Sequence, residues 1–199
     1  MKHECWGRFA LPIELDDRQL GVLEAYEGLL RDRAMPLGIV APADAPRLRE
    51  RHLLDCLRAA QTVGPDDVTA YDLGSGAGLP GVVVGIACPG LHVTLVERRR
   101  SRAAFLELVV ERLKLGNVSV FPGRAQDLME SVDLCFARAF ADPVMSWSVA
   151  EPRLLPRGRL AYFAGEGFEP SAMPDGVVAT IVPASSLARS GLVVIMSRQ

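Results

Sequence analysis

From Val68 onward the sequence alternates short apolar runs with helical ones: VTAYDL, then PGVVVGIAC, HVTLVE, SRAAFLELVVERLKLG, VSVF, RAQDLME and DLCFARA. Strand and helix in turn at this spacing mean crossover units, and crossover units mean a mainly parallel sheet with helices on its faces. The clearest helix is the one over ERRRSRAAFLELVVERLKLG. Phe105, Leu108, Val109, Arg112 and Leu113 fall on a 3.6-residue period there; Ser101 is placed to cap the start, and Gly116 stands where a left-handed stop is wanted. After PRLLPRGRLAYFAG, the runs GVVATIVP and GLVVIMS are joined by too few residues for a packed crossover helix. An antiparallel pair closing one sheet edge is therefore expected.

Two helices are expected ahead of this α/β pattern. One covers residues 16–30, opened by Asp16 with Gln19 three positions later; the other begins near Pro46 and runs through RLRERHLLDCLRAAQ to Gly64. The expected organisation is an N-terminal helical extension over residues 1–64 and a Rossmann-like unit over 65–199, forming one compact body. The formal net charge of -2 gives no overall steering toward nucleic acid, so a nucleic-acid partner would have to meet a local basic patch. Cys5, Cys56, Cys88 and Cys135 form no CxxC, and His3, His52 and His92 stand at no zinc-ligand spacing from them; this reads as thiols in a reducing cytosol without a metal site. No run approaches the ~20 apolar residues of a membrane span. A cytoplasmic monomer is expected.

The loop AYDLGSGAGLPG, residues 70–81, packs four glycines into eight positions behind a strand. Clustered glycine marks backbone that turns tightly or lies against a ligand. GAGLPG satisfies the dinucleotide pattern GxGxxG, and Glu97 follows at about the 20-residue interval of a ribose-binding acid. A nicotinamide cofactor and S-adenosylmethionine both suit that arrangement. S-adenosylmethionine is favoured by three features. Asp72 extends the motif with Gly74, Gly76 and Gly78 to DxGxGxG, and its carboxylate suits a cationic amino group. Pro80 removes an amide donor that a pyrophosphate would want. A single loop in 199 residues leaves little room for a separate substrate domain.

RHLLDCL, the stretch from DLGSGAGLPG through ERRRSRAAFL to GRAQDL, and ARAFADPVMSW together resemble the RsmG (GidB) family of 16S ribosomal RNA guanine-N7 methyltransferases, over roughly residues 20–165. The resemblance implies a class I S-adenosylmethionine-dependent methyltransferase fold with a seven-stranded sheet. It also implies S-adenosyl-L-methionine as donor, 16S rRNA or the small ribosomal subunit as partner, and guanine N7 as acceptor. By matching positions, Gly74 and Leu79 would line the cofactor, Ala125 and Gln126 would border its adenine, and Arg138 would reach the cofactor or the target base. The pattern departs where the family usually carries Glu in place of Gln126 and Lys in place of Ala164, and LGIVAP ahead of RHLLD is similar to the actinobacterial branch.

Guanine N7 holds a free lone pair at neutral pH, so methyl transfer needs alignment rather than a general base. Arg98, Arg99, Arg100 and Arg102 crowd the start of a helix, where the macrodipole disfavours cations; either phosphate contact or a solvated turn accounts for them. His52 reads as a packed or capping histidine. Phe140 and Trp147 read as core, with a base-stacking face as the other possibility. Arg138 reads as a site residue, and the plainer alternative pairs it with Asp142. Two other functions keep the same motifs: methylation of another RNA or a small molecule, and non-catalytic RNA binding on the same frame.

Overall fold

The computed structural model describes residues 6, 9, 11–165, 168–169, 173–174, 176–182 and 191–199. Helix α1, Asp17–Leu29, begins with the expected capping box: Asp16 accepts from the Gln19 amide at 2.7 Å, and the Gln19 side chain accepts from the Asp16 amide at 2.9 Å. A short π-helical turn, Leu30–Ala34, continues it. The second helical region is less regular than its sequence implies. It opens as a 3-10 turn at Pro42–Arg47, earlier than Pro46, passes through a π-helical stretch at Leu48–Leu54 and becomes α-helical only in α2, Asp55–Ala60. Pro46 cannot donate into an α-helical ladder, which accounts for the 3-10 start. The stretch is pinned from outside: Arg49 donates to Glu27 Oε2 from Nε at 2.8 Å and from Nη2 at 2.6 Å, with its guanidinium over the Trp6 ring.

The α/β part follows as β1 Thr69–Leu73, α3 Gly81–Ala87, β2 His92–Val96, α4 Arg100–Leu113, β3 Val118–Phe121, β4 Val132–Arg138, α5 Pro143–Ala150, β5 Leu154–Phe163, β6 Val177–Val182 and β7 Val193–Arg198. Between β3 and β4, RAQDLME supplies only a single 3-10 turn at Ala125–Asp127. The seven strands lie in the order β3-β2-β1-β4-β5-β7-β6. The first five are parallel, and β7 runs antiparallel to both β5 and β6. The C-terminal pair is thus antiparallel as expected, but it closes with its second strand inside and β6 at the edge. The linking residues 183–190 lie outside the described residues.

Side chains alternate along the strands and divide the core in two. One face carries Ala70, Val93, Leu95, Leu134 and Phe136, and packs with α1, α3, α4 and the 48–60 helices. The other carries Tyr71, Leu73, Cys135, Ala137 and Tyr162, and packs with Trp147 and Ala150 of α5. Trp147 is therefore core. Strand parity also assigns the polar ends: Asp72 follows Ala70, and Arg138 follows Phe136, so both face the N-terminal helices.

At α4 two expected caps are displaced. Ser101 lies within the helix and Arg99 is the N-cap residue, without a side-chain cap; its amide instead donates to Glu97 Oε1 at 2.8 Å. At the other end Lys114, not Gly116, takes the left-handed conformation, with φ 54°. The turn comes early because Leu115 must swing back to pack on the core.

Candidate active site

Parallel strands converge on their carboxyl edge, where the loop after β1 turns back into α3. Two glycines there tolerate no side chain. Gly74, at φ +69°, would set a Cβ 2.6 Å from Phe140 Cδ2, and Gly78, at φ +94°, would set one 2.5 Å from Val82 Cγ2 and 3.0 Å from the Tyr26 hydroxyl. Tyr26 donates to the Ala77 carbonyl at 2.7 Å, so α1 holds the loop from behind.

Glu97, just past β2, is 4% exposed and braces the loop from the side. Its Oε2 accepts from the Gly76 amide at 3.1 Å, while Oε1 takes the Arg99 amide. This answers how the crowded arginines are tolerated: the carboxylate sits against the α4 N-terminus and offsets both dipole and charge. Each carboxylate oxygen has a second lone pair to offer. Beside Glu97 opens a cavity of about 600 Å³, lined by Gly74, Val96, Glu97, Arg98, Arg99, Arg102, residues 123–127, Ala139 and Phe140. Gly74, Glu97, Ala125 and Gln126 thus share one cleft. Gly76 adjoins it through its bond to Glu97, whereas Gly78 and Leu79 are packed into the core beneath.

The 125–127 turn owes its place to a residue that local pattern gives no reason to single out. Arg153 donates to the Gln126 carbonyl at 2.7 Å and the Ala125 carbonyl at 3.4 Å. Phe140 covers Gly74 and faces the cleft, aimed there by Ala139, whose φ of 52° is a left-handed conformation that a non-glycine residue rarely takes. Arg98, Arg99 and Arg102 line the cleft with Arg124 and pair with no acid among the described residues. Arg100 is exposed and lies outside the lining.

Asp72 and Arg138 are not in the cleft wall. Asp72, 1% exposed, lies under the loop and accepts the Gly81 amide at 3.1 Å, steadying the start of α3. Burial pushes its carboxyl up to about 6, against the pull of the Gly81 hydrogen bond and the Arg138 charge, and Oδ1 has no hydrogen-bond partner among the described residues. Arg138 turns to the 48–60 helices: Nη2 lies 2.9 Å from His52 Nδ1 and Nε lies 3.6 Å from Asp55 Oδ2. Burial works against its charge, but Asp55 and Asp72 help to hold the guanidinium protonated. Its partners are these and not Asp142, which caps α5 by accepting the Met145 amide at 2.8 Å. Among the described residues no three His, Cys, Asp or Glu side chains gather as a metal site, and no helix is long and apolar enough to cross a membrane.

The strand order, the antiparallel seventh strand, and a glycine turn answered by an acid after β2 define the class I methyltransferase fold. Solved structures agree on that fold. MtNAS in complex with MTA and tNA is matched at TM-score 0.58 and 18% identity, covering 90% of this chain and 72% of that one. The O-methyltransferase TomG from Streptomyces achromogenes, in complex with SAM, is matched at TM-score 0.55 and 15% identity, covering 94% and 92%. Sequence relatives go further. A profile of the family described as rRNA small subunit methyltransferase G (GidB) matches residues 19–170. Ribosomal RNA small subunit methyltransferase G of Thermobifida fusca is 40% identical over 160 residues, covering 78% of this chain and 66% of that protein. The proteins of the same description from Salinispora arenicola and Burkholderia thailandensis are 40% and 35% identical, with 69% and 78% of their lengths covered. The chain belongs to the rRNA small subunit methyltransferase G family. It spans about two thirds of the length of the first of these relatives.

Proposed function

We propose that the chain is an S-adenosylmethionine-dependent methyltransferase that modifies N7 of a guanine in 16S ribosomal RNA. The observation that carries the reading is the cleft itself. It has a glycine turn on one wall, a carboxylate with spare lone pairs on a second, and a rim of arginines without acid partners among the described residues. S-adenosylmethionine fits these residues: Glu97 would take the ribose hydroxyls, Ala125 and Gln126 would border the adenine, and Gly74 and Gly76 would admit the ligand close to backbone. When bound, it supplies an electrophilic methyl group. Leu79, Gly78 and Asp72 would act from below, by shaping the loop.

The rest of the work falls to the chain's own groups. Guanine N7 in an RNA duplex lies on the deep, narrow groove edge, so the target nucleotide has to be unpaired or extruded. Arg98, Arg99, Arg102 and Arg124 would hold the phosphates around it, with Arg100 contributing least from outside the cleft. Phe140, lying on Gly74 at the mouth, offers the base an apolar face. Arg138 would hold guanine O6 or the donor's carboxylate through donors that the helices leave free. N7 is unprotonated at neutral pH, so no residue needs to take a proton; rate comes from alignment, a contribution of up to ~7–11 kcal/mol in well-oriented systems. The test is nucleoside mass spectrometry of 16S rRNA from cells with and without the gene. The absence of one 7-methylguanosine from cells without the gene is the expected result; an unchanged profile overturns the reading.

A further inference from the structure

Arg138 and His52 are 86 positions apart in sequence and meet across the boundary between the N-terminal helices and β4. Chemistry fixes how they meet. Arginine has only donors, so His52 Nδ1 must accept, and the ring must be neutral with its hydrogen on Nε2. Nε2 in turn lies 3.2 Å from Asp44 Oδ2, a charge contact without the alignment of a hydrogen bond, and Asp44 Oδ1 receives Arg51 Nη1 at 2.9 Å. Asp55 faces Arg138 from α2, and its other oxygen takes the buried Arg58 at 3.1 Å. The arginine fork is thereby held along Nε and Nη2, while Nη1 has no partner among the described residues.

We propose that His52 is the positioning residue for Arg138: neutral, with Nδ1 free to accept and Nε2–H facing the Asp44 carboxylate, it receives one arm of the fork and so directs the free arm toward the strand-end site. The inference rests on the proposed role of Arg138. A protonated His52 would present N–H to N–H, and the contact would be lost. Burial and the neighbouring Arg138 both hold the ring below the usual histidine value, with Asp44 opposing them and Arg51 assisting. The arrangement is therefore stable at neutral pH and fails in acid. Asp72, whose carboxyl burial pushes up to about 6 on the other side of Arg138, also changes its charge in acid. Only a comparison of variants can separate the two groups.

The experiment follows tritium transfer from S-adenosylmethionine to small subunits that lack the modification, using the full chain and the variants His52→Asn, His52→Gln and Arg138→Ala. An asparagine oxygen can stand where Nδ1 stood and still accept; glutamine reaches toward Asp44 instead. His52→Asn should keep kcat within about threefold, and His52→Gln should lose about tenfold or more while melting within a few degrees of the parent. Below about pH 6.5 the parent should lose activity more steeply than His52→Asn, which has no ring to titrate. If His52→Gln matches the parent while Arg138→Ala is inactive, Arg138 works without His52 and the proposal is overturned. Identical acid limbs for parent and His52→Asn overturn it as well, and they decide the matter even if His52→Gln does not fold. Full activity of Arg138→Ala instead removes the role of Arg138 itself.

Discussion

The carboxyl edge of the sheet has two halves built in opposite ways. Over β2 and β3 it is open: Glu97, the 125–127 turn and the arginines at 98, 99, 102 and 124 surround a cavity of about 600 Å³, and these arginines have no acid partners among the described residues. On the face of β1 and β4 that meets the N-terminal helices it is closed: Asp72 and Arg138 lie there among Tyr26, His52, Asp55 and Cys56. Both halves carry charge, but in the open half the arginines face the cleft, whereas in the closed half the fold engages most of the charge and leaves only the Nη1 arm of Arg138 without a partner among the described residues. A charged residue at a strand end is thus not by position alone a ligand contact. The face it points to, and what covers that face, decides.

The largest test of this contrast is Arg138→Ala. Removing one partner of a largely buried ion pair leaves its acids exposed to a poorly solvating interior, so stability should fall by about 2–4 kcal/mol. Thermal melting should drop by roughly 5–10 °C, and methyl transfer by at least about tenfold. An unshifted melting curve would mean that the closed half is no tighter than the open one.

Asp72 gives a pH signature of the closed half. Its folded carboxyl sits at about 6, above the ordinary 3.8. The folded chain therefore keeps a proton that the unfolded chain releases, and stability falls as pH rises through that window. The loss should approach ~3 kcal/mol by pH 7.5 as an upper figure. Asp72→Asn should flatten melting temperature against pH between 4 and 6, which differential scanning calorimetry measures directly; an equal slope in both proteins would place the titration elsewhere.

In the open half, Glu97→Ala should weaken S-adenosylmethionine binding by about 1.5–3 kcal/mol in calorimetry. An unchanged Kd would leave Glu97 as a brace for Gly76 and Arg99 only. The smallest effects belong to the rim. Replacing Arg98, Arg99 and Arg102 together by Ala should lower the salt dependence of RNA binding by roughly two in the log–log slope, with melting unchanged. Arg100→Ala should change it least; an equal change would show that the basic surface extends beyond the cleft.

What the sequence determined by itself is what neighbours in sequence determine. The alternation after Val68 fixes a parallel sheet, Asp16 and Gln19 close their own capping box, and the turn from Gly74 to Gly78 with Glu97 at a strand end marks the edge of the sheet where the cleft opens. Each depends on residues a few positions apart or on the repeat of one crossover unit. Tertiary structure decided the rest. Arg138 acquired its partners from a helix 86 positions away, the 125–127 turn acquired Arg153 from beyond α5, and Leu115 moved the end of α4 by needing the core. The irregular helix at 42–54 likewise bends to meet Glu27, 22 positions before Arg49. Strand parity does show that Arg138 and Asp72 share a face, but not that helices cover it. A charge's role depends on the dielectric and the counter-charges around it, and these are supplied by packing between segments that no local pattern connects.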